Sequence, residues 1–255
     1  MENRNFKIDC PECLTNISQK IFEDLEKKKE IIFDFFGIND FQKVNIILFD
    51  SKSAYDKFFE NDTKMPKYST GCIKGNSIYA VIDTRSVNNV DKDEKNANEG
   101  KNISRVTHEF FHIIYNNRIV KEKKQKRCTW LDEGLAQCLS GQNDILEKGD
   151  NFKNYFINVV KSTKEIPNLN SLVHRVVNSN DKPFKSVGIY DGYALSFISV
   201  RYMLEVFGKQ KVREIMENEE QLLEVGNTVI KDSFKYFKEK YLIQSKKDKD
   251  EEVLL

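Results

Sequence analysis

The chain carries His108-Glu109-Phe110-Phe111-His112, a pentad that uses two of its three histidines. Residues four apart lie one above the other on a helix, so both imidazoles point the same way and can grip one metal ion. Glu109, one step round, is placed to take a proton from a water at that metal as the water attacks a carbonyl. Metal-assisted hydrolysis of an amide is the chemistry such a spacing serves. The alternative is a pair of core imidazoles hydrogen-bonded to their neighbours.

The element that must position these groups reads as a helix. Ile103, Val106, Phe110, Ile113 and Ile114 recur at helical spacing, Asn102 is the expected cap, and Asn116-Asn117 mark the expected end. Phe111 adds apolar surface on a further side, so the helix should be buried on most of its circumference. A catalytic zinc takes three protein ligands and keeps one position open. The stretch Thr129-Trp130-Leu131-Asp132-Glu133-Gly134-Leu135-Ala136 offers a further carboxylate, Glu133, in the first turn of a second helix, with Thr129 and Asp132 as its expected capping box. Gly134 inside that helix costs about 1 kcal/mol relative to Ala, which calls for a close approach by another backbone.

Together the two motifs resemble the gluzincin metallopeptidases, the thermolysin-like and aminopeptidase-like group whose third zinc ligand is a Glu on a helix downstream of HExxH. Trp130, Glu133, Gly134 and Ala136 match the pattern W, two residues, then E-G-x-A. The resemblance implies that His108, His112 and Glu133 hold Zn2+ and that Glu109 is the general base. It implies an α+β, zincin-like fold, with a small mixed sheet, a central active-site helix and a second, mostly helical lobe. A downstream Tyr or His donates to the oxyanion in this group. Tyr193 is the matching residue here, at the head of a helix reaching Phe207, capped by Asp191 and stopped by Gly208. Tyr193, Phe197, Val200, Leu204 and Phe207 share one stripe, so a core tyrosine is the competing reading. Tyr190 and His174 are the other possible donors. The group also binds extended substrate along a sheet edge. Ser77, Ile78, Tyr79, Ala80 and Val81 are the expected edge, with an ordinary sheet strand as the alternative.

The resemblance spans roughly residues 40–245, and two departures qualify it. Gln137 stands where several relatives place a carboxylate that orients the first zinc histidine, so another group must fix that ring. No Gly-x-Met-Glu-Asn segment precedes the pentad, which points away from an aminopeptidase and toward an endopeptidase or narrow-specificity protease. The reading from a different class is a non-catalytic interaction module that keeps the scaffold and holds a partner in its cleft.

Elsewhere the pattern predicts a helix from Leu14 to Phe36, a strand from Val44 to Phe49 and a short helix from Ser53 to Phe59. A hairpin from Ile73 to Asp83 follows, turning at Lys74-Gly75-Asn76-Ser77. Thr84 to Lys101 reads as a polar loop, and Lys121 to Cys128 as a basic insert, either a solvated face or a lure for acidic substrate. Val176 to Gly188 reads as a third loop, and Lys209–Met216 and Thr228–Leu242 as helices. The expected organisation is an α+β lobe over residues 1–120, a helical lobe over 121–245 and a charged tail over 246–255. A chain of 255 residues with 39% apolar content can bury a sizeable core. The net charge of +1 offers nothing for nucleic acid. No apolar run is long enough for a membrane span, and no signal peptide is evident, so a cytoplasmic enzyme acting on a peptide or protein is expected, with leaderless export as the other route. Five cysteines fit reduced thiols better than a disulfide framework, and Cys10-Pro11-Glu12-Cys13 is a lone CxxC, a weak signal for zinc or redox work. Oligomeric state is not legible.

Overall fold

A computed structural model describes residues 1–62, 69–82, 92–172 and 190–243. It is mixed α and β, with one small sheet and eight α-helices among the described residues. The chain packs as two compact units, Met1–Arg118 with Leu139–Gln142, and Ile119–Cys138 with Asn143–Leu255.

The first unit holds the sheet. Strands β1 (Phe6–Asp9), β2 (Val44–Phe49), β3 (Gly71–Lys74) and β4 (Ser77–Val81) lie in the order β1-β2-β4-β3. β1 and β4 both run parallel to β2, and β3 closes antiparallel on β4. Alternation along the strands sorts their side chains. Phe6, Ile8, Val44, Ile46, Leu48, Ile78 and Ala80 are buried on one face, as the cross-strand pairs Phe6–Val44, Ile46–Ile78 and Leu48–Ala80 require. Gly75 supplies the positive φ of 58° that the two-residue hairpin turn needs.

Two long helices cover that face. α1 (Thr15–Phe36) ends where Gly37 turns left-handed and its N–H, with that of Ile38, satisfies the last carbonyls. α3 (Lys92–Tyr115) carries the pentad. Phe110 is the joint: its ring meets Phe6 of β1 edge-on at 5.0 Å and lies 6.3 Å from Phe33 of α1. Phe111 packs on Phe36 at 5.3 Å, and Thr107 donates to Asp24 of α1 at 2.6 Å. On the other face α2 (Lys52–Phe58), capped by Ser51, builds a smaller cluster of Phe49, Tyr55, Phe59 and Val81.

The second unit is helical. α4 (Thr129–Leu139), α5 (Asn151–Ser162), α6 (Gly192–Val206), α7 (Gly208–Met216) and α8 (Glu219–Lys238) enclose an aromatic core. Phe152 of α5 lies 6.0 Å from Phe197 of α6 and 5.0 Å from Phe237 of α8, while Arg201 caps the Phe152 ring. Asp191 caps α6, accepting from the N–H groups of Tyr193 and Ala194 at 3.0 and 3.3 Å, and Asn218 caps α8. Among the described residues no helix is long and apolar enough to cross a membrane.

Several expectations need correction. β4 is flanked on both sides, so Ser77, Ile78, Tyr79, Ala80 and Val81 do not form a sheet edge; β1 and β3 are the terminal strands among those described, and β3 is the terminal one of the hairpin. Alternating residues predict a hairpin but are blind to which of its strands takes the parallel partner. α3 begins at Lys92 rather than at Asn102, so the second half of the supposed polar loop is helix. Its Lys, Glu and Ala residues favour helix without an apolar stripe, and Glu99 ion-pairs with Lys20 of α1. α8 likewise starts at Glu219, well ahead of Thr228. Strand β1 and helix α5 were not anticipated. The expected loop over 176–188, with His174, and the tail over 246–255 lie outside the described residues.

Gly134 meets its expectation: a Cβ there would sit 2.5 Å from Val200 Cγ2 and 2.6 Å from the Ser196 carbonyl oxygen of α6. Gly134→Ala should therefore lower the unfolding free energy in urea by about 1–3 kcal/mol through overpacking. Gly100 is exposed inside α3, with nothing within 4 Å of such a Cβ. Gly100→Ala should raise stability by roughly 0.5–1 kcal/mol in the same measurement.

Candidate metal centre

Helix geometry decides where the pentad points. At about 100° per residue, His108 and His112 fall roughly opposite Phe110 on α3, so fixing Phe110 against β1 and α1 turns both imidazoles to the far side. The two Nε2 atoms face each other at 3.0 Å, with the rings nearly perpendicular at 87°. Two nitrogens on one tetrahedral zinc, each about 2.05 Å from it, would lie about 3.3 Å apart. A few tenths of an ångström separate the pair from a bidentate grip.

Glu133 supplies the third group. One ligand atom from each of His108, His112 and Glu133 lies within 4.8 Å of the other two, and His112 and Glu133 are buried. A set of two imidazoles and one carboxylate could hold a divalent metal ion, and it is the one such cluster of three or more ligating side chains among the described residues.

Glu109 reaches β3: its Oε1 would lie 3.9 Å from a Cβ on Gly71. The absence of a side chain at Gly71 leaves space beside the carboxylate. One turn before Glu109, Arg105 donates to Thr70 Oγ1 at 3.1 Å and to the Val81 carbonyl, tying α3 to the end of the hairpin. Burial lowers the Arg105 pKa from its ordinary value, and the Glu109 charge opposes that shift. Cys72, on the opposite face of β3, is held above the usual thiol range by burial and, to a smaller extent, by Glu109.

On α4, Gln137 does not act as a carboxylate would. Its Nε2 donates to the Glu133 carbonyl at 3.3 Å and to the Tyr193 carbonyl at 3.1 Å. The first turn of α6, with Tyr193, is thereby held beside the helix that bears Glu133. The Glu133 carboxylate has another partner: Arg127 donates to Glu133 Oε1 at 3.3 Å through Nη2 and to Asp132 Oδ2 through Nε. The basic insert is thus partly bound to the protein, since Lys123 also pairs with Glu217 at 3.1 Å. Arg127, Arg105 and Gly71 are the residues that sequence reasoning missed. An arginine five and six residues ahead of an Asp-Glu pair at a helix start is the one signal that was available.

Compared with protein-family models, with curated proteins and with solved structures, the chain matches none. The reading of this centre therefore stands on its own residues.

The thiols report on the surroundings of Arg127. Burial pushes its neighbour Cys128 up to about 12, whereas Cys13 is exposed. Peptide mapping after iodoacetamide treatment near pH 8 should find Cys13 modified in the native protein and Cys128 only after denaturation. Native labelling of Cys128 ahead of Cys13 would contradict the buried turn.

Proposed function

We propose that the protein is a zinc-dependent peptidase of gluzincin type on a zincin-like fold, cutting peptide or protein substrates as an endopeptidase or narrow-specificity protease. The observation that carries this reading is the convergence of His108, His112 and Glu133, with a further carboxylate, Glu109, one residue from the first ligand. When bound, zinc supplies Lewis acidity and a water whose pKa falls to about 7.

The chain's own groups do the rest. Glu109 accepts the proton of the attacking water and returns it to the leaving amine, which needs a carboxylate held in place but not bound to metal. Its carboxylate faces Gly71, where the space beside the backbone of β3 can admit an extended chain. Peptide added along the outer side of β3 would make main-chain hydrogen bonds and run past Glu109, which moves the expected substrate strand from Ser77–Val81 to Gly71–Lys74. Arg105 keeps that strand and Glu109 in fixed relation through Thr70 and Val81. Tyr193 is the proposed donor to the developing oxyanion, held by the Asp191 cap and by Gln137.

The purified protein should carry near-stoichiometric zinc and cleave members of a mixed peptide library, with dialysis against a chelator abolishing cleavage and added zinc restoring it. Glu109→Gln should retain the metal while kcat drops by about 10²–10⁴. His112→Ala should lose metal and activity together. A Glu109→Gln variant that cuts at the wild-type rate would sink the assignment of the base, and stoichiometric zinc with no cleavage of any library member would favour a non-catalytic partner-binding role.

A further inference from the structure

We infer that Arg127 is a positioning residue for the metal centre: its guanidinium holds the Glu133 carboxylate in the orientation in which it meets the two imidazoles. The inference rests on the zinc-peptidase reading above and goes beyond it, because it concerns how the third ligand is kept in place.

Glu133 is only 6% exposed. A carboxylate at such a site must be both charged and aimed, and neither follows from helix geometry alone. Helical backbone fixes where Glu133 begins, but the side chain has three further torsions before its oxygens. Arg127 removes much of that freedom. Nη2 reaches Glu133 Oε1 at 3.3 Å while Nε reaches Asp132 Oδ2, and the Asp132 side chain is wholly buried. The planar guanidinium is therefore anchored through Nε by a wholly buried carboxylate, and it holds the second carboxylate through Nη2.

The sequence around this fork fits the task. Arg127 precedes α4 and Cys128 is buried behind it, with the Asp132 N–H bonded to the Cys128 carbonyl at 2.9 Å. The turn that carries Arg127 is thus tied to the same helical turn that carries Glu133. Gln137 is bonded to the carbonyls of Glu133 and Tyr193, so it steadies backbone rather than the ligand's side chain. Arg127 therefore steadies the carboxylate ligand, a different task from orienting the first histidine ring, for which relatives use a carboxylate at the position of Gln137.

A guanidinium also repels an incoming cation, so the sign of its effect is a measurable question. Outer partners of metal ligands typically contribute about 10–100-fold to affinity, which sets the expected size. The test uses the full chain, stripped of metal and titrated with Zn2+ against a chromophoric chelator, for wild type, Arg127→Ala and Arg127→Lys. Thermal melting of each metal-free protein checks the fold. Arg127→Lys keeps a positive charge near buried Asp132 but cannot span both carboxylates. The expected result is a zinc affinity about 10–100-fold weaker in Arg127→Ala and weakened to a smaller degree in Arg127→Lys, with the lysine variant's metal-free melting close to wild type. Unchanged or tighter zinc binding in both variants overturns the inference while leaving the zinc reading intact. Loss of the fold in both variants would make Arg127 a structural residue and overturns it as well. Failure of the wild-type protein to bind zinc removes the reading beneath it, an outcome distinguishable because it appears before any substitution is made.

Discussion

The burial of Phe110 constrains everything at the centre. Its ring is held between β1 and α1, and that contact sets the rotation of α3 about its own axis. A helix has one rotational degree of freedom that matters to its side chains, and an aromatic side chain locked in a core removes it. With Phe110 and Phe111 inward, His108 and His112 have one direction left, and Glu109 another, toward β3. The direction of the histidine pair is obtained without any residue dedicated to aiming the helix. The Thr107–Asp24 hydrogen bond adds a polar pin on the α1 side and resists sliding of one helix along the other.

The second unit meets a different requirement, which is to bring a helix start bearing an acidic pair close to another helix. Gly134 answers it by omission, since Val200 and the Ser196 carbonyl occupy the volume a side chain would need. Close approach then lets the Gln137 amide reach the Tyr193 carbonyl, and the Asp191 cap fixes where α6 begins. Three short-range devices, a glycine, an amide and a cap, thus set the relation of Glu133 to Tyr193 within one unit. Asp132 is wholly buried beside this contact, and Arg127 pairs with it, so that removing the arginine alone would leave a buried carboxylate uncompensated.

Much of the centre was legible from residue order because its signals are local. An i, i+4 histidine pair, a glycine where a helix should not want one, and an aspartate two residues ahead of Tyr193 each act within a turn or two of chain. The strands β2 and β4 and the hairpin turn were legible for the same reason. Features that depend on non-local partners were not. Phe6-Lys7-Ile8-Asp9 is too short to announce a strand, and it becomes one because Val44–Phe49 accepts it. Lys92 to Lys101 has no apolar stripe, and it reads as loop until Lys20 of α1 is seen opposite Glu99. Which hairpin strand is terminal depends on sheet order, which alternation does not encode. Arg127 was grouped with a basic insert because charge counting cannot distinguish a solvated lysine from an arginine bonded to two carboxylates.

Parallel pairing of β1 with β2, and of β2 with β4, has a kinetic corollary. Phe6 must find Val44, and Ile46 must find Ile78, across intervening helix, so only the β3–β4 hairpin can close through neighbours in the chain. The sheet face on which Phe110 docks is complete only after those distant pairings are made. The orientation of the histidine pair therefore depends on contacts that are distant in the chain, not on the helix alone. Assembly of the His108, His112 and Glu133 cluster is in this way coupled to completion of the surrounding architecture.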